Sequence, residues 1–88
     1  MKYLIFTYPN CPKCDSLKRI LQGTDLQGEE YNLSEKESKI KIRDYLNVIK
    51  RDDRGGIRIP VVLMIKDDET QNVINSPQEL RDWLQSEG

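Results

Sequence analysis

Hydrophobic and polar positions follow two regular patterns in the first quarter of the chain. Residues Lys2 to Thr7 form a short, largely apolar run, which is typical of a buried strand. From Pro12 to Gln22, apolar residues recur at helical spacing, at Cys14, Leu17, Ile20 and Leu21. Gly23 is typical of the position just after a helix ends. The pattern predicts a strand followed by a helix.

The next part of the chain, up to the Gly55-Gly56 pair, has patterns that predict another strand and another helix. Glu29 to Leu33 is a short strand candidate with Tyr31 and Leu33 as its apolar positions. Ser34 followed by Glu37 matches a capping box, so we expect the second helix to begin at Ser34. Its apolar face consists of Ile42, Tyr45, Leu46 and Ile49. We expect this helix to fade into Lys50–Arg54 and to end before the Gly55-Gly56 pair.

The remaining chain predicts a hairpin and a final helix. Ile57 to Ile65 is the stretch richest in β-branched residues, Asp67-Asp68-Glu69 reads as a tight turn, and Thr70 to Ile74 is the partner strand. Ser76-Pro77-Gln78-Glu79 is a capping box with proline at the first helical position. The apolar stripe of the last helix is Leu80, Trp83 and Leu84.

The predicted element order is β-α-β-α-β-β-α. A strand-helix-strand start implies two parallel strands joined by a right-handed crossover, whereas the later hairpin is antiparallel. We therefore expect an α/β fold with a four-stranded mixed sheet and helices on both faces. At 88 residues, the chain (residues 1–88) is predicted to be a single domain.

Composition narrows the classes of partner. The chain is 36% hydrophobic and 33% charged with a net charge of -1, which gives no general attraction to nucleic acid or acidic membranes. No apolar run approaches a membrane span and no signal peptide pattern is present, so we expect the protein in the cytoplasm. We also expect it to be a monomer. Histidine is absent, and the two cysteines alone cannot complete a four-coordinate zinc site. We expect neither a bound metal nor another bound cofactor.

The candidate chemistry lies where the first strand meets the first helix. Cys11 and Cys14 are the only cysteines, and Pro12 suits the first helical position, which makes Cys11 the expected N-cap. Free backbone N–H groups and the helix dipole favour a thiolate there, and such settings lower thiol pKa values from about 8.5 to roughly 3.5–7.5. Lys13 adds to the positive field. Cys14 should face inward, close enough to attack a disulfide formed at Cys11.

These features together resemble the glutaredoxins, which belong to the thioredoxin superfamily. The resemblance rests on Cys11-Pro12-Lys13-Cys14 after a strand, on the element order and on Arg58-Ile59-Pro60 before a strand, and it covers essentially the whole chain. It implies the thioredoxin fold and a cis peptide bond before Pro60, beside the nucleophilic cysteine. It also implies that the backbone of Ile59 pairs with an extended substrate.

The chain departs from the glutaredoxin pattern where glutathione would bind. Tyr8 occupies the place of a usual Lys or Arg, Arg58 that of a Thr, and Asn75-Ser76 that of a Gly-Gly pair. The next two backbone N–H groups usually receive a glutathione carboxylate, but Pro77 has none. Arg54 or Arg58 is then the substitute cation. The predicted substrate or glutathione contacts are Tyr8, Pro12, Lys13, Arg58, Ile59, Pro60, Ser76 and Gln78.

We therefore predict a thiol–disulfide oxidoreductase with Cys11 as nucleophile and Cys14 as resolving thiol. Its substrates would be disulfides in proteins or small molecules, and its reductant either glutathione, as a co-substrate, or a flavoprotein reductase. Two alternatives stay open at this point. Cys11 from two chains would bridge an iron–sulfur cluster, or the groove beside Pro60 would serve a non-catalytic adaptor.

Overall fold

A computed structural model describes residues 2–49 and 59–87 of the chain. The elements follow the predicted order β-α-β-α-β-β-α. Their bounds are Lys2–Thr7 (β1), Pro12–Gln22 (α1), Gln27–Asn32 (β2), Lys36–Arg43 (α2), Val61–Lys66 (β3), Glu69–Ile74 (β4) and Pro77–Glu87 (α3). None of the helices within these ranges is long and apolar enough to cross a membrane. The predicted α/β architecture is confirmed.

The four strands form one mixed sheet in the order β2-β1-β3-β4. β1 runs parallel to β2 and antiparallel to β3, and β3 and β4 form an antiparallel hairpin. Phe6 of β1 lies opposite Val61 of β3, and Val62 lies opposite Ile74 of β4. The end of β1, the start of β3 and the end of β4 therefore lie at the same end of the sheet, and we call this the cysteine end.

Each face of the sheet carries its own apolar core, because successive strand residues point to opposite sides. The face covered by α2 buries Leu4, Phe6, Leu33, Ile42, Ile49, Val61, Leu63 and Ile65. The face covered by α1 and α3 buries Ile5, Leu17, Leu21, Val62, Met64, Ile74 and Leu80. Tyr45 packs against the first core and Trp83 against the second, as predicted. The helices thus lie on both faces.

The prediction for α2 was wrong at both ends. The helix begins at Lys36 with Glu35 as its N-cap, and Glu35 makes no side-chain capping bond. Ser34 does not cap it, since both the N–H and the hydroxyl of Ser34 donate to Asn32 Oδ1, at 2.9 and 2.8 Å. The helix ends at Arg43, and Tyr45 N–H bonds to the carbonyl of Ile42 at 3.0 Å, a tighter turn than the α-helical ladder.

The bounds of three strands also differ from the prediction, and β4 begins at Glu69 instead of Thr70. β2 covers Gln27–Asn32 instead of Glu29–Leu33, and Leu33 is buried just beyond the strand, where its N–H donates to the Thr7 carbonyl at 2.7 Å. β3 begins at Val61 instead of Ile57. Of that predicted stretch, residues 57–58 lie outside the described part of the chain. Pro60 has no N–H for the sheet ladder, which is consistent with the strand beginning after it.

Candidate active site

The first helix begins at a cysteine. Cys11 is the N-cap of α1 with an extended backbone (φ −113°, ψ 102°), and its Sγ accepts a hydrogen bond from the backbone N–H of Cys14 at 3.2 Å. Asn10 adopts a left-handed conformation (φ 58°), which turns the chain between β1 and the helix. Pro12 occupies the first helical position. The predicted roles of Pro12 and Cys11 in starting the helix are confirmed.

Cys11 and Cys14 form a disulfide, and their Cα atoms are 5.2 Å apart. Cys14 is 1% exposed and faces the core with Leu17 and Leu21, whereas Cys11 is only half-buried. The pair is therefore asymmetric, because an incoming molecule reaches the Cys11 sulfur far more easily than the Cys14 sulfur. The inward orientation expected for Cys14 is confirmed.

A cis proline lies at the same end of the sheet. The Ile59-Pro60 peptide bond is cis, as the resemblance implied, and Pro60 is fully buried. Because Val61 pairs with Phe6, Pro60 lies beside the end of β1, from which the loop to Cys11 departs. The Pro60 carbonyl accepts a hydrogen bond from Asn75 Nδ2 at 3.1 Å. This bond joins the segment before β3 to the segment between β4 and α3.

The start of α3, next to Asn75, is capped by its own side chains. Ser76 Oγ accepts the N–H of Glu79 at 3.2 Å, which confirms Ser76 as a helix cap. In return, Glu79 Oε2 accepts the N–H of Asn75 at 3.3 Å. The predicted capping box would place this bond at the N–H of Ser76, one residue later. Pro77 has no N–H to offer. The amide groups of Asn75 and Glu79 are thus already engaged by this chain.

The other predicted contact residues are distributed around this site. Tyr8 is 49% exposed, and Lys13 is exposed on the first turn of α1. The side chain of Gln78 is exposed and donates to Asp82 Oδ1 at 3.0 Å, along α3. Ile59 packs partly buried against the first core. The cations predicted at Arg54 and Arg58 lie outside the described residues.

Sequence reasoning missed a polar contact between the sheet and α1. Glu30 Oε2 accepts the hydroxyl of the buried Thr7 at 3.0 Å and the ammonium of Lys18 at 3.2 Å. Lys18 also pairs with Asp15 at 3.5 Å. The hydrogen bond to Glu30, with both carboxylates nearby, raises the pKa of Lys18. Glu30 reaches Thr7 through the register of β2 against β1, so no local sequence signal identifies this contact. Asp15 and Lys18, in contrast, are three residues apart on one helix.

A shallow cleft of about 270 Å³ lies at the opposite end of the sheet, lined by Lys2, Gln27, Ile65, Asp67 and Asp68. Lys2 begins β1 and Asp67-Asp68 forms the hairpin turn, so this cleft is separated from Cys11 by the length of the strand. Its lining contains no thiol. The redox chemistry predicted for Cys11 and Cys14 therefore belongs to the cysteine end.

Comparison with known proteins agrees with the geometry. The model of the Glutaredoxin family matches residues 3–70, which is more than half of the chain and includes both cysteines and Pro60. Searches of curated proteins and of solved structures returned no match. With the disulfide at the start of α1, the cis proline at the same end of the sheet and the element order, this match establishes that the chain belongs to the glutaredoxin family of the thioredoxin superfamily.

Proposed function

We propose that the protein reduces disulfides by a dithiol mechanism in which Cys11 is the nucleophile and Cys14 is the resolving thiol. Membership of the glutaredoxin family indicates thiol–disulfide oxidoreductase chemistry in general. The finer assignment is supported chiefly by one observation. The two sulfurs are bonded to each other, yet Cys14 is buried and Cys11 is within reach of solvent.

The first step uses the start of α1. A Cys11 thiolate would keep the hydrogen bond from the Cys14 N–H, and the helix dipole favours its negative charge. The thiolate attacks one sulfur of the substrate disulfide. The substrate S–S bond breaks, its other sulfur leaves as a thiolate and takes up a proton, and a mixed disulfide with Cys11 remains.

The second step closes the Cys11–Cys14 disulfide. Cys14 loses its proton and attacks the Cys11 sulfur, and the second substrate sulfur leaves and is protonated. The substrate has gained two electrons from the protein and two protons. One proton is matched by the proton that Cys14 loses, and the other comes from solvent, because Cys11 begins as a thiolate. Cα atoms 5.2 Å apart lie within the range that a disulfide spans, so this attack needs no large backbone movement.

A reductant must then reopen the disulfide. Glutathione, as a co-substrate, and a flavoprotein reductase are the two donors, and the substrates are disulfides in proteins or in small molecules. We further propose that the protein works as a monomer in the cytoplasm. The iron–sulfur alternative stays a prediction, and it requires Cys11 as a free thiolate, not bonded to Cys14.

The experiment that tests this function is an NADPH-coupled disulfide reduction assay run with two donor systems. One contains glutathione and glutathione reductase, and the other contains thioredoxin reductase. We expect turnover with at least one system and none with the Cys11→Ser variant. If the wild-type protein turns over with neither system, and the pre-reduced protein also fails to reduce a small disulfide stoichiometrically, the proposed function is wrong.

A further inference from the structure

A carboxylate lies at the cysteine end of the sheet, on the side of α3. Glu79 Oε2 accepts the Asn75 N–H at 3.3 Å, and Asn75 Nδ2 in turn donates to the Pro60 carbonyl at 3.1 Å. One residue, Asn75, thus separates the Glu79 carboxylate from the cis proline. The helix start, Pro60 and the Cys11 loop share one end of the sheet, so this charge lies at the same end as the disulfide that a substrate must approach.

The start of a helix ordinarily attracts anions through its free N–H groups and its dipole. At α3 part of this attraction is already used within the chain. Pro77 lacks an N–H, the Glu79 N–H is held by Ser76 Oγ at 3.2 Å, and the Glu79 side chain supplies the negative charge itself. An anionic group on a substrate would therefore meet the like charge of Glu79 here. It would also lose much of the stabilisation that the N–H groups of a helix start usually give to an anion.

We propose that Glu79 determines the charge specificity of the site, so that the protein discriminates against disulfides that carry negative charge near their sulfurs. Neutral and cationic disulfides are the favoured substrate class. This inference rests on the proposed function, because it concerns the substrate of the same reaction. Among the residues that the structure describes around the site, Lys13 carries the opposite charge on the α1 side and Asp15 is paired with Lys18. The discrimination is therefore assigned to the α3 side.

Three small disulfides with the same reactive bond and different charge test the proposal. The pre-reduced protein is mixed with cationic cystamine, neutral hydroxyethyl disulfide or anionic glutathione disulfide, and the reaction is quenched with an alkylating reagent. Mass spectrometry then counts the protein thiols lost. In each reaction the substrate accepts two electrons and yields two thiols, while Cys11 and Cys14 become the disulfide.

The decisive variant is Glu79→Gln, whose amide oxygen still accepts the Asn75 N–H, so the helix cap is retained. We expect its rate relative to wild type to rise with glutathione disulfide and to fall with cystamine, each by about two- to fivefold. The rate with hydroxyethyl disulfide should not change. Raising the ionic strength should reduce the difference, because screening weakens the interaction between exposed charges.

Asp82→Asn is the matched control. It removes the same charge from α3 about one turn further along, where Asp82 accepts a hydrogen bond from Gln78. We expect the control to leave the ratios between the three disulfides nearly unchanged. Equal ratios in wild type and Glu79→Gln would overturn the charge-specificity proposal alone. Failure of the wild-type protein to reduce even hydroxyethyl disulfide would instead count against the proposed function.

Discussion

The backbone N–H of Cys14 donates to the sulfur of Cys11 across 3.2 Å. This contact exists while the two sulfurs are bonded, so it does not depend on charge at Cys11. When the disulfide is reduced, the same N–H is already directed at the sulfur that carries the negative charge in the proposed mechanism. Hydrogen bonds to a charged acceptor are stronger than those to a neutral one, so this N–H favours the thiolate.

Replacing the resolving thiol should trap the reaction halfway. In Cys14→Ser, the Cys11 thiolate still attacks a substrate disulfide, but nothing nearby releases the product. We expect mixed disulfides to accumulate on Cys11 in cells that express this variant, and mass spectrometry of the purified protein will identify them. Cys11→Ser is the control and should collect none. Adducts at Cys14 in the control, or none in Cys14→Ser, would contradict the assignment.

The glycine at the second position of β2 should not tolerate a side chain. Gly28 lies opposite Tyr3, and an added Cβ would come within 2.5 Å of two ring carbons of Tyr3 and would also clash with its backbone oxygen. Because the backbone oxygen cannot move aside, we expect Gly28→Ala to lower the free energy of unfolding by about 1–3 kcal/mol. Urea unfolding followed by circular dichroism measures this loss.

Gly23→Ala is the matched control for that experiment. Gly23 has φ −81°, and an added Cβ would meet the Ile20 carbonyl at 3.5 Å, an ordinary van der Waals distance. We expect a change within about 0.5 kcal/mol, because an alanine fits that backbone conformation. Similar losses in both variants would mean that Tyr3 does not restrict position 28.

The hydrogen bond from Asn75 to Pro60 should matter for both stability and rate. Asn75→Ala removes the donor to the Pro60 carbonyl, and we expect a loss of about 1–2 kcal/mol in the free energy of unfolding. Disulfide reduction should also slow, because the segment before β3 is less firmly held at the cysteine end. Asn72→Ala, at an exposed position of β4, should change neither quantity. An unchanged rate in Asn75→Ala would show that this bond serves the fold alone.

The phenol of Tyr31 gives the fold a dependence on high pH. The hydroxyl of Tyr31 donates to Glu29 Oε2, and this bond, with partial burial, raises the pKa of Tyr31 from 10.0 to about 12. The protonated phenol therefore stabilises the folded state fully below about pH 10 and loses this contribution as the pH rises towards 12.

We expect wild-type stability to fall between pH 10 and about 12 more steeply than that of Tyr31→Phe, which has no phenol to ionise. Urea unfolding midpoints at a series of pH values measure the two slopes. The stacking of Tyr31 on Phe6, with ring centroids 5.4 Å apart, is available to phenylalanine as well. Parallel slopes for the two proteins would show that Tyr31 ionises equally readily when folded and unfolded.

The first strand and helix could be predicted to the residue because each boundary has its own local cause. Pro12 begins α1, and Gly23 follows its last residue. The cis bond before Pro60 could be predicted only from the resemblance to the glutaredoxins, because few X–Pro bonds in folded proteins are cis.

The end of α2 and the polar contacts between elements depend on three-dimensional packing that sequence spacing does not specify. Tyr45 and Ile49 have helical spacing from Ile42, but they lie in the turns after α2 and not in the helix. These turns bring both side chains to the first core, as a longer helix would have done. Glu30 contacts Thr7 only because of the parallel register between their strands. Such pairings need three-dimensional information, and this is why the charged surroundings of the active site were predicted less completely than the cysteines.

The hairpin turn at Asp67 and Asp68 lies at the far end of the sheet from the disulfide, and both residues have a left-handed backbone (φ 53° and 65°). Exposed turns of this kind are where proteins best accept added groups. A reporter dye or an immobilisation tag attached here would lie a full strand length away from Cys11. This turn is therefore a practical handle for converting the protein into a surface-bound redox sensor.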